Sequence, residues 1–149
     1  KESKLDYAYK TLHLDMKKIS VCFFLSEFLN RISQNDDYQK DNFDFIKDSL
    51  IVFDRLEVNY SNFHIQFLIK LSKYFGIDIG KSKHLTGENV EDDINLFVDA
   101  CINNSYEVKI KSNNILRNNV INLIIEHYSR NLDININLNS TNFLKEIFN

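Results

Sequence analysis

Apolar side chains recur at helical spacing between Asn62 and Gly76, and this stripe constrains the fold more than any other feature of the chain. Residues three and four positions apart lie on one face of an α-helix, so the spacing predicts a helix with one apolar side. Ser61 is expected to cap the first turn through its hydroxyl, and Gly76 is expected to end the helix in a left-handed conformation. The stripe consists of Phe63, Phe67, Leu68, Leu71, Tyr74 and Phe75.

Three other segments show the same periodicity. A helix is predicted from about Asp15 to Ser33, and it is apolar around so much of its circumference that we expect it to be central. Its apolar residues are Ile19, Cys22, Phe23, Leu25, Phe28, Leu29 and Ile32. A second helix, residues 41–56, is expected to turn inward Phe43, Ile46, Leu50, Phe53 and Leu56. A helix over residues 114–132 is supported by Ile115, Val120, Leu123, Ile124 and Tyr128.

The region after Gly76 is harder to assign, because the helical pattern breaks there. Ile94 to Ile102 is a short apolar run that fits either a strand or a buried helix, and periodicity alone does not decide between them. A short final helix is expected from Ser140 to Phe148. The sequence therefore predicts a mainly α fold, a bundle of about four or five helices, with residues 94–102 left open between strand and helix.

Composition limits the class of protein. A chain of 149 residues with 44% hydrophobic content can bury one core, so we expect a single domain over residues 1–149. No apolar run reaches the roughly eighteen residues of a membrane span and no signal peptide is visible, which predicts a soluble intracellular protein. Cys22 and Cys101 are expected to be two reduced, buried thiols rather than a disulfide. A net charge of −3 is not typical of a dedicated nucleic-acid binder.

Several motifs of the chain resemble the helical region of the RecO family of bacterial DNA repair mediators. The segment from Asn62-Phe63-His64 to Gly76 resembles the family's Asn-Phe-His…Leu-Ser-x-x-Leu-Gly helix. Further resemblances follow the family's order along the chain. They are Lys1-Glu2-Ser3 with Tyr7 and Tyr9, Phe24 to Leu29, Phe43 to Leu50, and Leu144 to Phe148.

This resemblance implies a non-enzymatic recombination mediator of the bacterial cytoplasm and nucleoid. Such a protein helps displace single-stranded DNA-binding protein, anneals strands, and loads RecA together with RecR. Residues 1–14 would be an extended lead-in from an N-terminal OB domain, which is expected to be missing from this sequence and would carry most of the contact with single-stranded DNA. The helical region would act as a scaffold and would receive the acidic C-terminal tail of single-stranded DNA-binding protein. That tail ends in an aromatic residue and a free carboxylate.

A groove for this tail needs apolar walls and a cationic rim. The sequence offers such a set on the stripe helix: His64, Phe67, Lys70, Lys73, Tyr74 and Phe75. Further basic residues that are candidates for the rim are Lys17, Lys18, Arg31, Arg55, Lys81 and Lys83. The simpler interpretation is that these charges only solvate the edges of helices.

Enzymatic chemistry is not supported by any motif. His64 lies at a helix start without a nucleophile or carboxylate placed by sequence to form a catalytic set, so packing is the favoured role. No Cys or His residues have the spacing of a zinc site, and no metal or cofactor is predicted. Two alternatives to the mediator remain: a stand-alone helical interaction module unrelated to repair, and a small hydrolase that uses His64 or His127.

Overall fold

A computed structural model describes residues 7–33, 40–87, 92–140 and Leu144, and in these ranges the chain is helical and contains no strand. The mainly α prediction is confirmed, and the open segment is a helix. The helices are α1 (Met16–Ile32), α2 (Lys40–Arg55), α3 (Phe63–Leu71), α4 (Ser82–Thr86), α5 (Asp92–Asn103) and α6 (Asn114–Leu132). A 3₁₀ turn, Ser72–Phe75, extends α3. Of the expected final helix, only Ser140 and Leu144 fall within the described residues.

The centre of the bundle is α3, not α1. Every α3 residue from Phe63 to Ile69, and Leu71, is buried, and the helix packs against α2, α5 and α6. A helix that is apolar or buried on all sides belongs in the middle of a core. The expectation that the first helix is central is wrong, because one of its faces is open and leaves Phe23 66% exposed.

The two ends of α3 differ from the prediction in instructive ways. The N-cap is Asn62, not Ser61, and its side chain makes no capping bond. Its amide instead donates to the Ile110 carbonyl at 2.9 Å and its oxygen accepts from the Ser112 hydroxyl at 2.8 Å. At the other end, Gly76 is left-handed with φ +74°, as predicted.

Two other residues expected to face inward are exposed. Phe43 on α2 is 50% exposed and Ile115 on α6 is 74% exposed. Each lies in the first turns of its helix, where fewer neighbouring elements cover it, whereas Phe53 and Ile124 further along are fully buried. Periodicity identified the correct helices but not the extent to which each stripe is covered.

The lead-in to α1 is fastened to the end of α2 by Asp54, which is 1% exposed. Its carboxylate accepts from the backbone N–H groups of Lys10, Thr11 and Leu12 and from the hydroxyl of Tyr7. Burial opposes ionisation of Asp54, but these hydrogen bonds outweigh burial and hold the pKa of its carboxyl below the ordinary value. The start of the described chain is therefore part of the fold.

Candidate functional site

Three of the residues predicted for the groove line one cavity of about 410 Å³ between α3, α5 and the loop after Gly76. On α3 and its 3₁₀ extension, Lys70 lies one helical turn before Lys73 and Tyr74, so the three side chains face the same side. We call this cavity the lysine groove. Its other lining residues are Phe45, Ile69, Asp78, Ile79, Gly80 and Ile102.

The two lysines of the groove differ in environment. Lys70 is half-buried; its Nζ donates to the Asn104 carbonyl at 3.0 Å and lies 5.8 Å from the ring centroid of Tyr106. Burial lowers the pKa of Lys70 from its ordinary value, and the positive charge of Lys73 acts in the same direction. Lys73 is exposed, and its Nζ lies 5.2 Å from the Tyr74 ring centroid. The groove therefore presents one partly desolvated ammonium and one that is exposed to solvent.

An aromatic wall closes one side of the lysine groove. The Phe45 ring from α2 stacks on Tyr74, with centroids 4.8 Å apart and planes 28° apart, and on Phe67 at 5.4 Å. Stacked rings present a rigid apolar surface at little entropic cost. On the other side of Phe45 and Tyr74 is a second cavity of about 460 Å³, which carries Asp41, Asp44 and Asp48.

The far wall of the groove is a loop fixed by Ser72, which is fully buried. Its hydroxyl accepts from the Ile79 N–H at 2.8 Å and donates to the Ile69 carbonyl at 2.6 Å. The loop also bears Asp78, an acidic side chain in a groove otherwise lined by two lysines and apolar residues. A ligand is therefore offered ammonium groups on one wall and a carboxylate on the other.

Two predicted groove residues belong to the core instead. His64 is 1% exposed and Phe67 is 0% exposed, because α3 is covered on all sides. The His64 ring meets Phe24 edge-on at 5.9 Å, and burial, with a smaller contribution from the charge of Arg117, lowers the pKa of His64 to about 3. Phe75 is partly buried against the core and does not line the groove.

The predicted basic rim is also divided. Lys18 is 2% exposed, because its ammonium reaches inward to the carbonyls of Asp54 and Leu56 at 3.2 and 2.6 Å; it is not a rim residue. Lys17 and Arg31 lie on α1, and the Arg55 guanidinium lies over the Tyr7 ring at 5.3 Å; none of these three lines the groove. Lys81, which directly follows Gly80 of the groove, and Lys83 on α4 are exposed, but neither lines the groove.

The described residues show little that could support other chemistry. Within them, no three His, Cys, Asp or Glu side chains are grouped as a metal site would need. Cys22 and Cys101 are free thiols, as predicted, but only Cys101 is buried, whereas Cys22 is partly exposed. Burial raises the pKa of Cys22 to about 11 and that of Cys101 to about 12. His127 Nε2 forms a hydrogen bond with the Ile77 carbonyl at 2.8 Å, so this imidazole has a structural partner. None of the helices in the described ranges has both the length and the apolar character needed to cross a membrane.

Comparison with known proteins finds several curated relatives. Proteins named DNA repair protein RecO from Azobacteroides pseudotrichonymphae and Phocaeicola vulgatus are 37% and 34% identical over 76 and 77 residues. These alignments include 51% and 52% of this chain but span only about a third, 32%, of each relative. DNA repair protein RecO from Flavobacterium johnsoniae is 27% identical over 164 residues, which is 99% of this chain and 69% of the relative.

Two other comparisons give no match: no family model matches the chain, and no solved structure does. The relatives nevertheless share one name, and the alignment with the Flavobacterium johnsoniae protein, like that with its Flavobacterium psychrophilum counterpart, runs through nearly the whole of this sequence. Over nearly its whole length the chain is thus similar to proteins named DNA repair protein RecO.

Proposed function

We propose that this chain is a non-enzymatic mediator of DNA repair and recombination, and that its helical domain docks the acidic tail of single-stranded DNA-binding protein. In this role it helps displace that protein from single strands, anneals complementary strands, and loads RecA together with RecR in the bacterial cytoplasm. Contact with single-stranded DNA falls mainly to an OB domain of the kind the family resemblance implies. The observation that carries the proposal is the lysine groove, together with the shared name of the relatives.

The chemistry of the groove suits a peptide that ends in an aromatic residue and a carboxylate. The stacked rings of Phe45 and Tyr74, with Ile79, offer apolar surface for a ring. Lys73 is exposed, and Lys70 uses one of its three N–H donors on Asn104, so ammonium donors remain for carboxylates. Burial of the ring supplies most of the affinity, and the lysines supply orientation and charge complementarity.

Asp78 gives the groove selectivity among negatively charged ligands, in addition to the attraction that the lysines provide. Its carboxylate repels a ligand that is negative along its whole length and favours one whose backbone N–H groups or hydroxyls face the loop. A peptide with its carboxylates toward α3 and its backbone donors toward Asp78 satisfies both walls. Free phosphate or an extended nucleic-acid backbone does not.

Fluorescence anisotropy with a labelled tail peptide from the single-stranded DNA-binding protein of the same organism tests this proposal. We expect micromolar binding, about −8 kcal/mol, that is lost when the terminal aromatic residue is removed from the peptide. Lys73→Glu should weaken binding at least about tenfold, because it reverses a charge in the groove. Lys17→Glu makes the same charge change on α1, outside the groove, and should leave binding unchanged.

Two outcomes would refute the docking role. One is the absence of binding at about 100 μM peptide, which means that the binding free energy is less favourable than about −5.5 kcal/mol. The other is equal weakening by Lys73→Glu and Lys17→Glu, which would show only long-range attraction between a negative peptide and positive side chains. Circular dichroism on both variants verifies that the helical fold is retained.

A further inference from the structure

The cavity on the other side of Phe45 and Tyr74 from the lysine groove has a different chemistry. Its volume is about 460 Å³, which is in the range of ligand pockets. Among the residues that the structure describes, no lysine or arginine lines this cavity, but three carboxylates do. We call it the aspartate cavity. Its lining residues are Asp41, Asp44, Phe45, Asp48, Ser49, Val52, Tyr74 and Tyr106.

The three carboxylates come from one face of α2, because they follow one another at spacings of three and four residues. Like charges at these spacings repel each other and weaken a helix. Asp44 is paired with Lys40 at 3.3 Å, but within the described ranges no cation is paired with Asp41 or Asp48. The helix dipole favours Asp41 in the first turn, whereas Asp48 lies in the middle of α2, beyond that effect. The negative charge of Asp48 is therefore left for a partner to neutralise.

The aromatic walls of the aspartate cavity suit a cation as well as an apolar group. The rings of Phe45 and Tyr74 are stacked with their centroids 4.8 Å apart, so this wall is rigid. A cation near the face of an aromatic ring is attracted by the ring quadrupole. Two of the lining rings already have such a neighbour: the Nζ of Lys73 lies 5.2 Å from the Tyr74 centroid, and the Nζ of Lys70 lies 5.8 Å from the Tyr106 centroid.

Two buried hydroxyls of the cavity retain a hydrogen-bond donor. Ser49 and Tyr106 are 4% and 8% exposed, and their hydroxyl oxygens lie 2.9 Å apart. Each hydroxyl carries one proton, and the bond between them uses only one of the two. In the part of the chain that the structure describes, neither hydroxyl forms a further hydrogen bond. The second proton is therefore available to an acceptor oxygen that enters the cavity.

We propose that the aspartate cavity binds an arginine side chain from a basic peptide segment of a partner protein. The guanidinium donates to the carboxylates of α2 and lies against the aromatic wall, and a carbonyl oxygen of the peptide accepts the remaining hydroxyl proton. Arginine suits the cavity better than lysine, because a planar guanidinium both stacks on rings and forms several directed hydrogen bonds. This inference does not depend on peptide docking in the lysine groove.

Fluorescence anisotropy with a short labelled peptide of alternating arginine and glycine tests the proposal at about 0.15 M salt, where long-range attraction is largely screened. We expect binding to the 149-residue chain with a Kd below about 200 μM. The control peptide has citrulline in place of every arginine, which keeps the shape of the side chain and removes its charge. It should bind at least about tenfold more weakly.

Variants of the chain separate binding in the cavity from general attraction, since the chain has a net charge of −3. Asp48→Arg should raise the Kd of the arginine peptide at least about tenfold, and Asp48→Asn, which keeps the shape of the side chain, at least about threefold. Asp92→Arg makes the same charge change as Asp48→Arg at an exposed position on α5, outside the cavity. It should leave the Kd within about twofold of the wild type.

Three results would overturn the proposal. They are a Kd above about 200 μM for the arginine peptide, equal binding of the citrulline peptide, and equal weakening by Asp48→Arg and Asp92→Arg. Circular dichroism on each variant verifies that the helical fold is retained.

Discussion

Replacing Asp54 with asparagine should destabilise the fold far more than a change of one atom suggests. Asp54 Oδ1 accepts from the N–H groups of Thr11 at 2.7 Å and Leu12 at 3.1 Å. Its Oδ2 accepts from the Lys10 N–H at 2.9 Å and the Tyr7 hydroxyl at 2.8 Å. All four partners donate, whereas an asparagine amide has only one accepting atom. With its oxygen at the Oδ1 position, its NH₂ group replaces Oδ2, so the Lys10 N–H keeps only its 3.0 Å bond to Oδ1 and the Tyr7 hydroxyl loses its acceptor.

The size of the effect follows from this arrangement. A hydrogen bond to a charged group contributes about 1.5–3 kcal/mol, and one between neutral groups about 1 kcal/mol. Asp54→Asn removes the acceptor of the Tyr7 hydroxyl and one of the two acceptors of the Lys10 N–H. It reduces the bonds that remain at Oδ1, from Lys10, Thr11 and Leu12, to neutral strength. We therefore expect a loss of about 3–4 kcal/mol in the free energy of unfolding. The total free energy of unfolding of a typical domain is only about 5–15 kcal/mol.

Urea unfolding followed by circular dichroism measures this loss. Asp44→Asn is the control, because the Asp44 side chain is 48% exposed and only pairs with Lys40 at 3.3 Å; it should cost less than about 1 kcal/mol. The native pKa of Asp54 is below its unfolded value of about 3.9, so its contribution is complete above that pH and declines below it. The difference between wild type and Asp54→Asn should accordingly shrink by about 1 kcal/mol at about pH 3. A variant within about 1 kcal/mol of the wild type at neutral pH would refute this account of the lead-in.

Three further changes test the core. Burial lowers the pKa of His64 to about 3, so the free energy of unfolding should fall by up to about 1.4 kcal/mol per pH unit below about pH 6. His64→Gln lacks this titrating group and should show a shallower decline in stability between neutral pH and about pH 5. An equal decline in the variant would contradict the assignment. Ser72→Ala leaves the Ile79 N–H without its acceptor and should cost about 1–2 kcal/mol, with faster hydrogen exchange at that amide; unchanged exchange would rule out the role of the hydroxyl. Tyr128→Phe removes a 2.5 Å bond to the Leu68 carbonyl and should cost about 1 kcal/mol in urea unfolding, so an unchanged midpoint would show that the bond adds nothing net.

The long helices were predictable because their local signals agree. α1, α2 and α6 lie within one residue of the predicted bounds. Each has a continuous apolar stripe, and Asp15 and Asn113 cap α1 and α6 through their side chains. α5 remained undecided, because a short apolar run satisfies a strand and a helix equally. Its helical state comes from packing against its neighbours α3, α4 and α6, which a local pattern does not contain.

The candidate site was predictable only where its residues are close in sequence. Lys70, Lys73 and Tyr74 share one helical face, so a single stripe indicated one bank of the groove. The other walls come from α2, α5 and the loop after Gly76, and nothing in the sequence placed Phe45 beside Tyr74. Lys18 shows the converse error: a lysine beside Lys17 in the first turn of a helix is expected to be exposed, but the distant backbone carbonyls of Asp54 and Leu56 hold its ammonium inside.

Glu27 and Ser140 are both half-buried, and they join the first helix of the described fold to its last residues. The Glu27 carboxylate on α1 accepts from the backbone N–H groups of Asn139 and Ser140 and from the Ser140 hydroxyl at 2.6 Å. The partners are 112 and 113 positions apart.

This long-range bond affects how the protein is made on the ribosome. A chain synthesised from its N-terminus has α1 available early, but the residues that bind Glu27 and the buried Leu144 emerge only after α6 is complete. Until then the apolar face of α1 lacks part of its cover, and a nascent chain stalled before residue 139 presents that face to chaperones. Closure of the bundle thus waits until residues 139–144 have been synthesised.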